Sequence, residues 1–308
     1  MYREGKMNKV SKVRAGVIGV GAMGKNHARI YHDHPESDLI AVSDTNEKIG
    51  KAIADKFNVR FYKDYKEMLQ KENLDAVSIA VPTKYHKEIS LNVLHEKIHI
   101  LLEKPIAGSV TDAKEIINSA QHAGVKFLVG HIERFNPAVF KLKEIIEQKK
   151  LGDICSIIAR RVGLFPPRIK DANIMIDVAI HDIDIIRYLM GRDPDSVHSS
   201  GGQTFKSGRE DHVVALLRYG EANGILQANW ITPIKIRNLS VTGTKGYAEL
   251  NYITQELSIY ESNYETTFDS YGDFMVKFGK QKKIDVSIRN KEPLMEEIDH
   301  FLMCIQED

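Results

Sequence analysis

The chain of 308 residues is 43% hydrophobic and 28% charged, and its 43 Lys and Arg nearly balance 42 Asp and Glu. So even a balance offers no global field for nucleic acid or an anionic membrane, and no apolar run approaches the roughly 18 residues of a spanning helix. Two cysteines, Cys155 and Cys304, are too few and too distant for a disulfide framework or a thiolate metal site.

In chain order, "MYREGKMNKVSK" has no hydrophobic signal core and reads as a flexible polar tail over residues 1–12; a cytoplasmic protein is expected. Single cores rarely grow beyond roughly 250–300 residues, so two domains are expected, 1–130 and 131–308. In the first, "VRAGVIGV", "DLIAVSD", "LDAVSIAVP", "KIHILLEKP" and "VKFLVGH" read as strands with amphipathic helices between them. Continuous apolar strands alternating with helices predict an α/β domain, a doubly wound parallel sheet with ligands at the carboxyl ends of its strands.

The first strand runs into "GVGAMG", in which Gly19, Gly21 and Gly24 bracket Ala22 and Met23. Gly19 permits a tight turn, Gly21 lets the backbone approach a pyrophosphate, and Gly24 allows close helix–strand packing. The helix opening there aims unpaired N–H groups at phosphates. Asp44 follows at the end of the second strand, where an acid accepts hydrogen bonds from ribose hydroxyls. Together these predict a dinucleotide-binding Rossmann domain. Asp44 would repel a 2′-phosphate, and Thr45 and Asn46 follow it rather than an arginine, which favours NAD over NADP; the glycines alone also suit a flavin.

"VPTKYH" (81–86) and "EKP" (103–105) follow two further strand ends. They are expected to open onto the nicotinamide half of the crevice, with Val81, Pro82, Thr83, His86, Glu103 and Lys104 as cofactor contacts. A lysine partly desolvated between a buried strand and Pro105 can take part in proton transfer, with Glu103 as its countercharge. A plain ion pair is the other reading.

After a helical run, Pro137–Lys150, short strands with short turns predict an α+β domain with a mostly antiparallel open sheet. One face should pack on helices, and Trp230, Tyr252 and Tyr260 are expected on the other, through which copies of the chain would associate. Within this half, "DVAIHDIDII" (177–186) puts Asp177, His181 and Asp184 on one face of an otherwise apolar helix. Either the histidine is a structural group, or the face lines a wet cleft where a carboxylate orients an imidazole base. Asp177 and His181 have ligand spacing without a third partner, so no metal is expected. Asp182 is assigned to fixing the backbone or the surroundings of His181. Arg160, Arg161 and Arg168 read as solvated edge residues or as forks for a substrate diphosphate, with Arg161 and Arg168 the substrate-binding candidates.

"GVGAMG", Asp44, "EKP" and "DVAIHD", in this order, resemble the Gfo/Idh/MocA family of NAD(P)-dependent oxidoreductases. The resemblance covers nearly the whole chain. It implies that Lys104 and His181 flank the reacting carbon with Asp177 in support, that Lys104–Pro105 is cis, and that dimers or tetramers form sheet to sheet. "GHIERFNP" (130–137) looks like the segment of a subgroup acting on UDP-N-acetylhexosamines, notably UDP-N-acetylglucosamine 3-dehydrogenases. Arg134 and Asn136 would then lie near cofactor or substrate phosphates, or serve as a salt bridge and a helix cap before Pro137. The implied reaction is oxidation of a sugar secondary hydroxyl, the 3-hydroxyl of UDP-N-acetylglucosamine being preferred. Alternatives are an inositol or free-sugar dehydrogenase and an NAD-dependent glycosidase; a cofactor-binding regulator would need none of Lys104, Asp177 and His181. Family members usually continue beyond "EEIDHFLMCIQED", so the last helix is the least secure element.

Overall fold

The computed structural model describes residues 12–164, 173–205, 208–261, 264–268, 270–271 and 273–307. Contacts divide the chain into two units, Met1–His131 with Leu294–Asp308, and Ile132–Pro293.

The first unit alternates strand and helix: β1 (Val13–Ile18), α1 (Gly24–Asp33), β2 (Ser37–Ser43), α2 (Glu47–Phe57), β3 (Arg60–Tyr62), α3 (Tyr65–Lys71), β4 (Ala76–Ile79), α4 (His86–His95), β5 (His99–Glu103), α5 (Val110–Ala123) and β6 (Phe127–Gly130). The sheet order is β3-β2-β1-β4-β5-β6, and every neighbouring pair is parallel. Ala15, Val17, Val77, Ile100, Leu101 and Leu102 are fully buried, as strands covered on both faces require. The order reverses between β1 and β4, which sets the ligand crevice at the carboxyl ends of those strands. Helix ends follow local chemistry: the Asn46 side chain accepts from the Ile49 N–H to open α2, Ser109 accepts from the Asp112 N–H to open α5, and Gly124 closes α5 at φ 66°.

The second unit begins with a 3₁₀ turn, Ile132–Phe135, followed by α6 (Pro137–Glu147) and β7 (Ile154–Leu164). A π turn, Met175–Ala179, leads into α7 (Ile180–Met190). The strands β8 (Ser196–Gly202), β9 (His212–Tyr219), β10 (Ala222–Asn229), β11 (Ile231–Gly243), β12 (Gly246–Asn251), β13 (Glu256–Glu261), β14 (Tyr264–Phe268), β15 (Phe274–Phe278) and β16 (Lys282–Asp285) complete it. Its main sheet runs β16-β13-β12-β11-β7-β10-β9-β8, while β14 and β15 pair with each other. The β7–β10 pair is parallel; the other neighbours are antiparallel.

Helices α6 and α7 cover one face of this sheet, packing Leu142, Ile145, Ile185, Ile186 and Leu189 with Ile157, Ala159, Leu226, Leu239 and Val241. Each fully buried Leu or Ile contributes about 1.5–3 kcal/mol. Trp230 and Tyr252 join this core, 3% and 6% exposed, so the expectation that they lie on the second face is corrected. Tyr260 does lie on that face, its ring 5.8 Å from Tyr247. Leu216, Ile225 and Ile158 form a row across it, opposite one another in register.

The chain ends in α8 (Pro293–Gln306). Sequence reasoning groups this segment with the second domain; its contacts place it in the first unit. Ile298, Phe301 and Leu302 are buried, His34 Nε2 lies 3.1 Å from Asp299 Oδ1, and Gln306 Nε2 donates to Glu36 at 3.2 Å. The apolar stripe of α8 is therefore buried within the first unit. Among the described residues no helix is long and apolar enough to cross a membrane.

Candidate active site

The three glycines of the first βα turn each answer a different steric demand. Gly19 has φ 83°, and a Cβ there would stand 2.7 Å from the Ala80 carbonyl oxygen. At Gly24 a Cβ would fall 1.8 Å from the Gly19 carbonyl oxygen. Gly21 is the opposite case, with nothing within 4 Å of a Cβ. The turn is closed by packing at Gly19 and Gly24 and open at Gly21, where a phosphate backbone can approach. Met23 precedes α1 without a side-chain cap, and the first helical turn carries no acid. Its N–H groups and positive dipole end therefore face no competing anion there.

Asp44 sits just past β2. Its Oδ2 accepts from the Val20 N–H at 2.9 Å and its Oδ1 from the Asn46 N–H at 2.8 Å. Oδ2 is thereby held to the glycine turn and Oδ1 to the start of α2, and the remaining lone pairs can take ribose hydroxyls. The residues present fit a dinucleotide: Gly19, Gly21, Ala22, Met23 and Gly24 would line its pyrophosphate, and Asp44 would face its adenosine ribose.

The loops after β4 and β5 differ in part from expectation. Val81 and Pro82 lead into a 3₁₀ turn, Thr83–Tyr85, in which Tyr85 is exposed. His86 is 1% exposed. Its Nδ1 lies 2.8 Å from the Pro105 carbonyl oxygen and its Nε2 2.9 Å from that of Val81. Expected as a cofactor contact, His86 instead ties the two loops together with both ring nitrogens. The Lys104–Pro105 peptide is cis. Lys104 is half-buried, two residues beyond the fully buried pair Leu101 and Leu102. Glu103, before it, holds Oε1 3.0 Å from His27 Nε2.

The polar residues of α7 have distinct partners. Asp182 is fully buried and takes Arg161 Nε at 3.0 Å on both oxygens. Arg161 Nη1 donates to Glu133 at 2.6 Å, and its guanidinium lies 4.7 Å from the Tyr252 ring centroid. Burial opposes charge on Arg161, but Asp182 and Glu133 hold its pKa above the ordinary arginine range. Arg161 is 5% exposed and committed to these carboxylates, so its expected role as a substrate fork is corrected: it anchors α7. Arg168 lies outside the described residues. Arg160 is exposed on β7.

Asp184 is gripped by Arg134, through Nε at 2.7 Å and Nη2 at 2.5 Å. Asn136 accepts from the Ala138 N–H to cap α6 and donates to the Tyr252 carbonyl at 3.1 Å. The "GHIERFNP" segment thus uses Glu133, Arg134 and Asn136 as internal clamps rather than phosphate contacts. Asp177 lies in the π turn, and His181 follows it one turn later at the start of α7. Among the described residues no group of three or more His, Cys, Asp or Glu is arranged to hold a metal.

Sequence reasoning missed the buried partners of Glu103. His27, Ser78 and Tyr31 are fully buried behind it, and Glu297 of α8 is buried with them. A histidine and a tyrosine four residues apart on the inner side of α1 were the available signal.

A family model described as an oxidoreductase family with an NAD-binding Rossmann fold matches residues 13–131, and the Gfo/Idh/MocA C-terminal domain matches residues 139–249. UDP-N-acetylglucosamine 3-dehydrogenase of Acidithiobacillus ferrooxidans is 28% identical over 295 residues, covering 95% of this chain and 88% of that protein. A solved structure of the same enzyme has TM-score 0.83 and 26% identity, covering 96% of this chain and 89% of its own. The scyllo-inositol 2-dehydrogenase (NAD(+)) of Bacillus subtilis is 27% identical, covering 94% of this chain and 90% of that protein. The WlbA dehydrogenase from Bordetella pertussis, solved in complex with NADH and UDP-GlcNAcA, has TM-score 0.73 and 25% identity, covering 78% of this chain and 74% of its own. The matched regions hold the glycine turn, the EKP loop and α7, and the chain belongs to the Gfo/Idh/MocA oxidoreductases, NAD-binding enzymes that act on sugar and polyol hydroxyls.

Proposed function

We propose that this chain oxidises a secondary hydroxyl of a nucleotide sugar with NAD, the 3-hydroxyl of UDP-N-acetylglucosamine being the preferred substrate position. The observation that carries this reading is that Asp177, in the π turn, stands one turn before His181 at the start of α7, a helix fixed by the Arg161–Asp182 and Arg134–Asp184 pairs. Full-length similarity to a UDP-N-acetylglucosamine 3-dehydrogenase supports the choice of substrate. Bound NAD supplies the two-electron acceptor for the carbinol hydrogen. His181 takes the proton from the substrate hydroxyl oxygen as general base. Asp177 orients the imidazole and stabilises its positive charge once the proton has moved. Lys104 donates a hydrogen bond to the same oxygen and offsets its developing negative charge.

NADH absorbance with UDP-sugars, free hexoses and inositols tests the proposal. Fastest turnover of UDP-N-acetylglucosamine is expected, with Lys104→Ala and His181→Ala slowed by about 10²–10⁴-fold. Activity confined to unphosphorylated polyols would reverse the substrate assignment. The same reading includes a homodimer or homotetramer associating through the Leu216, Ile225 and Ile158 face. Ile158 is 44% exposed, so Ile158→Lys should lower the mass measured by light scattering without unfolding the chain.

A further inference from the structure

We propose that His27 is a positioning residue for Lys104, acting through Glu103; the assignment rests on the catalytic role of Lys104 proposed above. His27 belongs to α1, the helix that opens at the glycine turn, and is fully buried. Its Nε2 lies 3.0 Å from Glu103 Oε1 and its Nδ1 3.0 Å from Ser78 Oγ, while Tyr31 Oη lies 2.9 Å from the same Ser78 oxygen. Donor counting orders the chain. A carboxylate only accepts, so His27 Nε2–H donates to Glu103. In the neutral imidazole Nδ1 then accepts from the Ser78 hydroxyl, and Tyr31 donates to Ser78. All these hydrogen bonds are made at once by a single tautomer.

Glu103 is confined from its other sides as well. It pairs in register with Gly130 of β6, where a Cβ would stand 3.4 Å from the Glu103 carboxylate. Glu297 of α8 is fully buried nearby, and burial together with the charge of Glu103 keeps its carboxyl protonated well above the ordinary range. Apolar side chains could fill this interior without burying so many polar groups. The polar chain ends at the residue preceding Lys104, and that end point supplies the reason for it. His27 links the helix facing the pyrophosphate to the strand end that presents the lysine.

The test uses the full chain, saturating NAD and the sugar of fastest turnover in the panel above. His27→Ala should lower kcat by about 10²-fold, as expected when a reacting group is misplaced by roughly an ångström. KM for NAD and for the sugar should stay within about twofold, because ground-state binding is untouched. His27→Gln, which can still donate to Glu103 and accept from Ser78, should recover most of the loss and guards against a simple folding defect. Unchanged kcat in His27→Ala, or a fall matched by higher KM for both substrates and not recovered by Gln, would overturn the positioning role. A Lys104→Ala control separates the two claims. Parental turnover in that variant would overturn the functional reading and the role of His27 with it. An inactive Lys104→Ala beside a fully active His27→Ala would overturn the positioning role alone.

Discussion

Arg161 places one nitrogen, Nε, 3.0 Å from each oxygen of Asp182, inside a core where the aspartate is fully buried. Removing the guanidinium would leave the buried Asp182 and the half-buried Glu133 without their shared cation. Arg161→Met is therefore expected to destabilise the chain by about 3–5 kcal/mol, measured by urea unfolding. Arg161→Met with Asp182→Asn and Glu133→Gln should recover part of that loss. An Arg161→Met protein as stable as the parent would contradict the ion cluster.

Two glycine substitutions should fail in different ways. Gly24→Ala forces a Cβ to 1.8 Å from backbone, and such overpacking costs about 1–3 kcal/mol or more; both melting temperature and NAD binding should fall. Gly21→Ala meets no atom of the protein within 4 Å. It should melt like the parent yet lose NAD affinity, because the added methyl occupies the approach of the pyrophosphate. Calorimetry and a fluorescence titration of each variant check the contrast.

Asp44 should set the preference between the two nicotinamide dinucleotides. Hydrogen bonds to a charged group are worth about 1.5–3 kcal/mol, so Asp44→Ala is expected to weaken NAD binding by about tenfold to hundredfold. NADP binding should weaken much less, since the same change removes repulsion of the 2′-phosphate. Part of the loss is common to both, because Asp44 also holds the Val20 N–H. Equal losses for the two cofactors would remove the assignment.

Glu297 predicts a pH dependence of stability. Burial, and then the charge of Glu103, raise its pKa well above the ordinary 4.5. Below pH 4.5 the carboxyl is protonated in both folded and unfolded chains, and its contribution is fully present. As pH rises further, the unfolded chain releases the proton while the folded chain retains it. Stability then falls by up to about 1.4 kcal/mol per pH unit until the folded pKa is passed. Glu297→Gln cannot titrate, so its melting temperature should exceed that of the parent by a margin that widens upward from pH 4.5. A constant margin would show that Glu297 is not held protonated.

The features legible in the sequence are those set by near neighbours. The glycine turn, Asp44 and the buried strands of the first unit depend on residues close in the chain, and they lie where spacing predicted. Three-residue β3 is too short to display a period, so the sequence pattern does not reveal it. The role of Arg161 is not legible in the sequence because its partners stand 21 and 28 positions away. A sequence window shows a charge but not the opposite charge that consumes it. His86 hid for the same reason, its second carbonyl being 19 positions distant. Trp230 and Tyr252 illustrate a further limit: alternation tells which residues share a face of a strand, not which face helices will cover. On α7 the histidine and acids are visible at once, whereas the pairing of Asp184 with Arg134 and of Asp182 with Arg161 needed the fold.

The return of the chain to its first unit has a consequence for biosynthesis. Residues 12–131 are made before the whole of the second unit, and the surface that buries Ile298, Phe301 and Leu302 stays uncovered until that helix is translated. At about 5–20 residues per second, the nascent nucleotide-binding half waits for seconds with greasy surface showing. A stop codon just before Leu294 would leave the earlier unit without the helix that seals it.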